Sequence, residues 1–573
     1  MKASHTHLGS RHRYDRARHG EPSSRSRLDG GPAMQVQLLL VMMVCLIAVS
    51  PALARLVRLP APTILFLAGC LLSAVPAAAH VELPPEAVLL IVLPVLLFWE
   101  GYSTSIHHLR RYWRPVLLLG VPLVLLTAAA VAVAARAAGL PWIAAWALGA
   151  AVAPTDASAV AAYARALPGR WMTVLRAESL INDGTALVVL AAVIAVSQGH
   201  ATDGWSFGVD MLRSYASGLA AGLLAGALGL LVLRRVVDPV VTGAVALALP
   251  FAAAVPAEAV HGSAVVAVVT CALTVSRRSR RITAGRTRLQ AFAFWEITTF
   301  LLGGALFVVS GLQARRLFTA VEPGAALRLV GWGALIAVVV LAVRISWLFA
   351  SAWTIRLVDR RPVQRELRAP ARTLLVLGWS GMRGGISIAA ALTVPAVVAA
   401  AAFPGRPEIL ILTFVVVAMT LLVQGATLPL VIRWSRIGAD HDDPRPALRA
   451  VNRLLADRAV TALDQAAVRG DASPEAVERV LADLLDERER GGGLSDHDRH
   501  TAQVRLRLLE HLRRELVTMA SRNEVEDSLM WQVQERLDLE EARWAALLGS
   551  AGPEDDPGQA AAGVRDEARD VAR

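Results

Sequence analysis

The segment AESLINDGTALVVLAAVIAVS, residues 177–197, carries four residues able to do chemistry: Glu178, Ser179, Asn182 and Asp183. Glu178 and Asn182 are four residues apart, as are Ser179 and Asp183, so a helix places all four on one broad face. At about 1.5 Å per residue, Asp183 lies roughly 9 Å inside the start of the helix. A charged side chain at the centre of a membrane helix costs about 2.5–3.5 kcal/mol on insertion scales, and such residues usually face a cavity on an ion or substrate path. Asp183 is followed by uninterrupted apolar sequence and has no nearby Lys or Arg on its own helix. A carboxylate without a fixed partner in a dry cavity can hold a proton or a small cation, but not both comfortably. That competition suffices for antiport. Ser179, the region of Thr155 and water supply further hard oxygens for an alkali cation. The alternative is that Asp183 only packs a helix end.

The elements that must position these groups are membrane spans. The chain has 573 residues, 55% of them hydrophobic, with a mean hydropathy of +0.49. Thirteen apolar runs are expected at 36–54, 62–79, 86–101, 115–135, 141–164, 177–198, 212–233, 239–256, 259–276, 291–312, 327–354, 373–402 and 407–433. The three cysteines, Cys45, Cys70 and Cys271, lie inside such runs, which argues against a disulfide framework. The net charge of +11 comes mostly from loop arginines, so it points to membrane topology and not to nucleic acid.

Arginine concentrates in the loops after odd-numbered runs, such as Arg110, Arg111 and Arg114, or Arg277 to Arg288. Positive loops stay in the cytoplasm, so the N-terminus is expected outside and the C-terminal tail inside. Residues 1–33 are basic yet exported on this topology; they are expected to be disordered, with translation starting at or near Met34. No signal-peptide cleavage pattern separates them from the first run.

Thirteen runs divide as six, one and six, so the second half enters from the opposite side. That is an inverted-topology repeat, whose sequence sign is a pair of interrupted spans at matching positions. Run five contains GAAVAPTDASAV, with Pro154, Thr155 and Asp156; run twelve contains VLGWSGMRGGISIAAAL, with Gly381, Arg383, Gly384 and Gly385. Each is fifth in its half, and each carries a charge at its break. Arg383 is the charge in the middle of run twelve, so a buried Glu178–Arg383 ion pair is expected, structural in role. Asp156 is expected to brace the crossing through backbone N–H groups or to line the path. The fold expected is an all-α integral membrane protein of about thirteen helices with two broken crossing helices.

The segments APTDASAV, AESLINDGTALVV, FWEITTFLLGGALFVVSGLQ, GWSGMRGGISIAAAL and LLVQGATLPLVI resemble, in order over residues 36–436, the sodium/proton antiporters of the monovalent cation:proton antiporter 1 family. The resemblance implies a homodimer with a dimerisation domain and a core that moves like an elevator. It implies that Asp183 carries the exchanged ions, with Asn182 beside it. It implies that Thr155 and Asp156 sit at the helix crossing, and that Glu178 and Ser179 match the family's Glu-Ser with Arg383 as the paired Arg. An Asn before the Asp resembles the electroneutral branch, so one cation per proton is expected. LPVLLFWEGY on run three resembles a family segment in which Val95 replaces a Pro; it places Glu100 near the ion path, or else as an interfacial Glu at a helix end.

Residues 34–436 are thus expected to form the exchanger domain, 437–551 a helical cytoplasmic regulatory or dimer-contact domain, and 552–573 a disordered tail. Ser473 before Pro474 and Glu475 reads as a helix start, and a second long helix pattern runs from about 495 to 521. No nucleotide-binding glycine loop and no metal cluster is evident, so no cofactor is expected. The expected partners are a monovalent cation, protons, the bilayer of the plasma membrane and a second copy. Competing readings are a potassium/proton antiporter of the same fold, a passive cation channel, and a rhomboid-like protease using GWSG at 378–381 with His261. The expected biological role is pH and sodium homeostasis.

Overall fold

The computed structural model describes residues 32–75, 88–104, 113–161, 163, 167, 169–199, 204–236, 238–282, 285–358, 369–398, 401–437, 454, 457–461, 496–521 and 527–549. The contacts divide the chain at residue 441 into two units. In the first, helices α1 (Pro32–Val57) and α2 (Ala61–Leu72) are followed by a π-helical turn, Val88–Val92, that leads into α3 (Leu93–Ser103). Next come α4 (Trp113–Gly120), α5 (Pro122–Ala137), α6 (Trp142–Val152), α7 (Ala157–Ala161) and α8 (Gly169–Ser197). The long helices α9 (Gly204–Leu233), α10 (Pro239–Ala259), α11 (Ala264–Ile282), α12 (Gly285–Thr319) and α13 (Pro323–Val358) follow. The unit closes with α14 (Ala371–Trp379), α15 (Gly385–Leu392), α16 (Arg406–Met419), a π-helical turn at Thr420–Gln424 and α17 (Gly425–Ser435).

Among the described residues, nine segments are long and apolar enough to cross a membrane. In apolar surroundings a helix is favoured because it satisfies every backbone group internally. Proline sets the interruptions. Pro122 has no N–H to donate, and the run expected at 115–135 divides there into α4 and α5. The run expected at 373–402 is shorter as helix than its hydropathy predicts. Helix α15 ends at Leu392, because Pro395 disfavours helical backbone at Val394. Beyond it, β1 (Val397–Val398) pairs antiparallel with β2 (Ala401–Ala402), a small exception to the all-α expectation.

Two buried apolar clusters organise this unit. One draws on α5, α6, α8 and α13–α17; the other on α3, α9, α10 and α11, with Trp295 of α12. Helix α8 contributes to both, through Leu175, Ala177 and Val189 to the first and Leu180 to the second. The acid-bearing helix therefore runs along the boundary between two packed bodies. The second body is closely joined: Gly218, Gly222 and Gly226 of α9 face Ser263, Ala267 and Thr274 near or on α11, with no room for a side chain. Small residues at four-residue spacing are the usual way membrane helices approach closely.

In the second unit, α18 (Asp496–Ser521) and α19 (Asp527–Gly549) pack together, with Arg505 over the Trp544 ring. Helix α18 lies where the second tail helix is expected. The expected helix start at Ser473, and the terminal segments 1–31 and 552–573, fall outside the described residues.

Candidate ion site

Two helix interruptions meet beside α8. Residues 153–156 separate α6 from α7, and residues 380–384 separate α14 from α15. The breaks are joined through the backbone, where Asp156 N–H donates to Met382 O at 2.8 Å.

The charges at this crossing match the half-helix ends. Arg383 donates through Nε to Val152 O at 3.1 Å and through Nη1 to Gly381 O. These carbonyls terminate α6 and follow α14, where a cation is favoured by the negative end of the helix dipole. Asp156 is placed oppositely. Its Oδ1 accepts from Ser158 N at 2.8 Å and from Ser158 Oγ at 2.5 Å, capping α7. Its carboxylate also lies against Gly384, which precedes α15, so closely that a Cβ there would overlap it. Gly384→Ala is therefore expected to cost about 1–3 kcal/mol by overpacking. Gly331→Ala, in the interior of α13 where a Cβ meets nothing within 4 Å, is the control and should leave stability the same or slightly raise it. The fraction of protein surviving heating, read by size-exclusion chromatography, checks both.

On α8 the four polar residues divide their work. The buried Glu178 carboxylate is paired with Arg344 of α13: Nη2 donates to Oε2 at 3.0 Å and Nη1 to Oε1. This corrects the expected Glu178–Arg383 pair. Arg383 lies close enough to act on Glu178 electrostatically, but its donors go to the carbonyls of the crossing. Arg344 also donates from Nε to Leu377 O at 3.3 Å, and Gly381 leaves room for its side chain. The sequence does hold the signal for Arg344. It is a lone charge in the middle of the apolar run 327–354, the same sign that marks Arg383 in run twelve.

Thr155 and Ser179 brace the crossing. Thr155 Oγ1 donates to Glu178 Oε1 at 3.2 Å and accepts from Asn182 Nδ2 at 2.7 Å. Ser179 Oγ donates to Thr155 O at 3.1 Å and accepts from Ala157 N at 3.5 Å. Because the Thr155 hydroxyl gives its hydrogen to a carboxylate, it presents a lone pair to Asn182, which orients the amide. The Asn182 Oδ1 is left buried with no hydrogen-bond partner.

Asp183 is 3% exposed. Among the described residues, no hydrogen bond or ion pair reaches its carboxylate. The charged groups that act on it are Glu100 of α3 and Asp156, both of its own sign. Glu100 is half-buried and also feels Arg176. The structure thus gathers Glu100, Asp156 and Asp183 into one acidic neighbourhood. Arg344 and Arg383 each have other, filled contacts. Among the described residues no group of three or more His, Cys, Asp and Glu forms a multidentate metal site. Ser380 of GWSG is buried and donates to Val376 O at 2.7 Å, while His261 is exposed. No Ser–His hydrogen bond for a protease is present among the described residues.

Comparison with known proteins adds four findings. Residues 41–434 match the family model described as "Sodium/hydrogen exchanger, transmembrane". An uncharacterized Na+/H+ exchanger of Mycobacterium tuberculosis is 37% identical over 518 residues, covering 88% of this chain and 96% of that protein. The Na+/H+ antiporter NhaP of Pseudomonas aeruginosa is 31% identical over 361 residues, 61% of this chain and 81% of its own. Among solved structures, the sodium proton antiporter MjNhaP1 from Methanocaldococcus jannaschii superposes with a TM-score of 0.55 at 16% identity. That match covers 70% of this chain and 99% of the archaeal one, and it is a likeness of fold.

Proposed function

Because this chain belongs to the sodium/hydrogen exchanger family, we propose that it exchanges Na+ for H+ across the plasma membrane, with the Asp183 carboxylate as their shared carrier. The observation that carries this reading is a buried carboxylate with no hydrogen bond or ion pair among the described residues, one residue along α8 from Asn182, whose Oδ1 is likewise unpartnered. In the deprotonated site, Asp183 and the Asn182 oxygen offer hard ligands to a monovalent cation, and water completes the shell. Protonation removes the charge that holds the cation, so the two substrates use the site in turn. Thr155 and Ser179 support that site from the crossing, with their own hydroxyls available as ligands when the crossing rearranges. Glu100 borders the path.

We take the unit as thirteen helices, two inverted six-helix halves joined by one helix, with α6–α7 and α14–α15 as corresponding broken spans. Alternating access then moves the body holding the crossing against the body built on α9–α11, in a homodimer. The N-terminus lies outside and the α18–α19 unit in the cytoplasm. No resident cofactor is required by this chemistry.

Exchange of one cation for one proton moves no net charge. In proteoliposomes an imposed membrane potential is expected to leave the wild-type rate nearly unchanged. Asn182→Asp adds a second carboxylate, and its rate should become dependent on the potential. A strong response in the wild type would rule out the electroneutral cycle. The same vesicles, given Li+ or K+ in place of Na+, rank the cations.

A further inference from the structure

A cavity of about 530 Å3 lies beside α8, between α4 and α8 on one side and α9 and α11 on the other. Leu117, Ile181, Met211, Leu212 and Val269 line it, with Tyr215 at its wall. Small-molecule sites typically measure about 300–1,000 Å3 and have mostly apolar walls with a few polar groups. This cavity has the size and wall of such a site, and it touches Ile181, next to Asn182.

Its depth follows from one contact. Tyr215 Oη lies 2.7 Å from Thr185 Oγ1, joining a residue near the middle of α8 to one in the first half of α9. Thr185 sends its single hydroxyl hydrogen toward Gly120 O (2.8 Å) and Ile181 O (2.9 Å), so Tyr215 is the donor between the two hydroxyls. The cavity is therefore at hydrocarbon depth, and its phenol hydrogen is already engaged. Leu117 and Leu212 on its rim are 47% and 72% exposed. Its mouth consequently opens sideways into the membrane, where the surrounding solvent is acyl chain. At Gly208 on its wall an added Cβ would meet no atom within 4 Å.

We infer that this cavity is a lipid site, filled by one phospholipid acyl chain wedged between the carrier helix α8 and the α9–α11 body. A chain bound there favours the arrangement in which the cavity is open, because a ligand stabilises the state that binds it. The inference stands on the fold and its membrane depth. It does not need Asp183 to be the ion carrier.

The experiment reads the lipid directly. The full chain is reconstituted with phosphatidylglycerol bearing a diazirine midway along one acyl chain, irradiated, and mapped by peptide mass spectrometry. Adducts are expected on Met211 and Ile181, as well as on the outward-facing Leu224 and Leu231, which are 62% and 50% exposed. Gly208→Trp, or the smaller Gly208→Leu, should abolish labelling at Met211 and Ile181 and leave it at Leu224 and Leu231. A monodisperse size-exclusion profile with labelled Leu224 establishes that each variant is folded. Absence of adducts at Met211 and Ile181 in the wild type would overturn the assignment, and so would labelling that both variants leave unchanged. Occupation by residues 1–31 or by a second copy would give that first overturning result.

Discussion

Replacing Asp183 with asparagine is expected to abolish Na+-driven proton movement, to the leak rate of protein-free vesicles, while leaving the protein folded. The amide keeps the size and most of the polarity of the carboxyl group but can neither bind a proton in the physiological range nor offer a charge to a cation. Because the native carboxylate has no hydrogen bond or ion pair among the described residues, its loss strands no partner. An internal pH dye in proteoliposomes reads the exchange, and size-exclusion chromatography reads the fold. Retained exchange would remove Asp183 from the mechanism. The same competition fixes the sign of the pH response in the wild type. In the proposed cycle protons and Na+ share one carboxylate, so raising the pH should lower the apparent KM for Na+, by up to about tenfold per pH unit on the acidic limb.

The second large effect concerns stability. Glu178→Gln or Arg344→Gln alone should destabilise the fold by about 3–5 kcal/mol, because each leaves a buried charge without its counter-charge. The double substitution should cost less than the sum of the two, since no orphaned charge remains. Heat-survival curves of the four proteins provide the cycle. Its decisive comparison is with Arg383→Gln. Combined with Glu178→Gln, that change should behave more nearly additively, because Arg383 donates to Val152 O and Gly381 O instead. Strong coupling of Glu178 to Arg383 and none to Arg344 would reverse the pairing described above. Transport by the surviving fraction is expected to retain its apparent Na+ affinity, as a structural pair requires.

These two expectations differ in how far the sequence alone reaches them. Asp183 stands out in one dimension: an acid, well inside an apolar run, with no basic neighbour one turn away. The broken spans are legible in the same way, because Pro154 and the Gly381–Gly385 cluster interrupt runs that hydropathy would otherwise continue. The partner of Glu178 is not legible. Hydropathy and spacing give the depth of a side chain in the membrane and its face on its own helix. They do not give which way that face turns toward a helix 166 residues away. Two arginines lie in the middle of apolar spans, Arg344 and Arg383, and both are compatible with a charge-balance rule. Only the packing of α13 against α14 and the crossing assigns the first to Glu178 and the second to the carbonyl ends of the broken helices.

The polar face of α8 illustrates the same division. The four-residue spacing of Glu178 with Asn182, and of Ser179 with Asp183, determines by itself that these residues share one side of a helix. It does not distinguish a brace from a ligand. The tertiary structure shows which of them are braced: Thr155 reaches α8 from the break between α6 and α7 and takes up Glu178, Ser179 and the Asn182 amide nitrogen. What it leaves is the Asn182 oxygen and the Asp183 carboxylate. The sequence by itself therefore determined a membrane protein with an acid-bearing helix and two breaks, since those features are local in residue type and period. Which groups neutralise one another, and which are left unpartnered among the described residues, was decided by contacts between helices far apart in the chain.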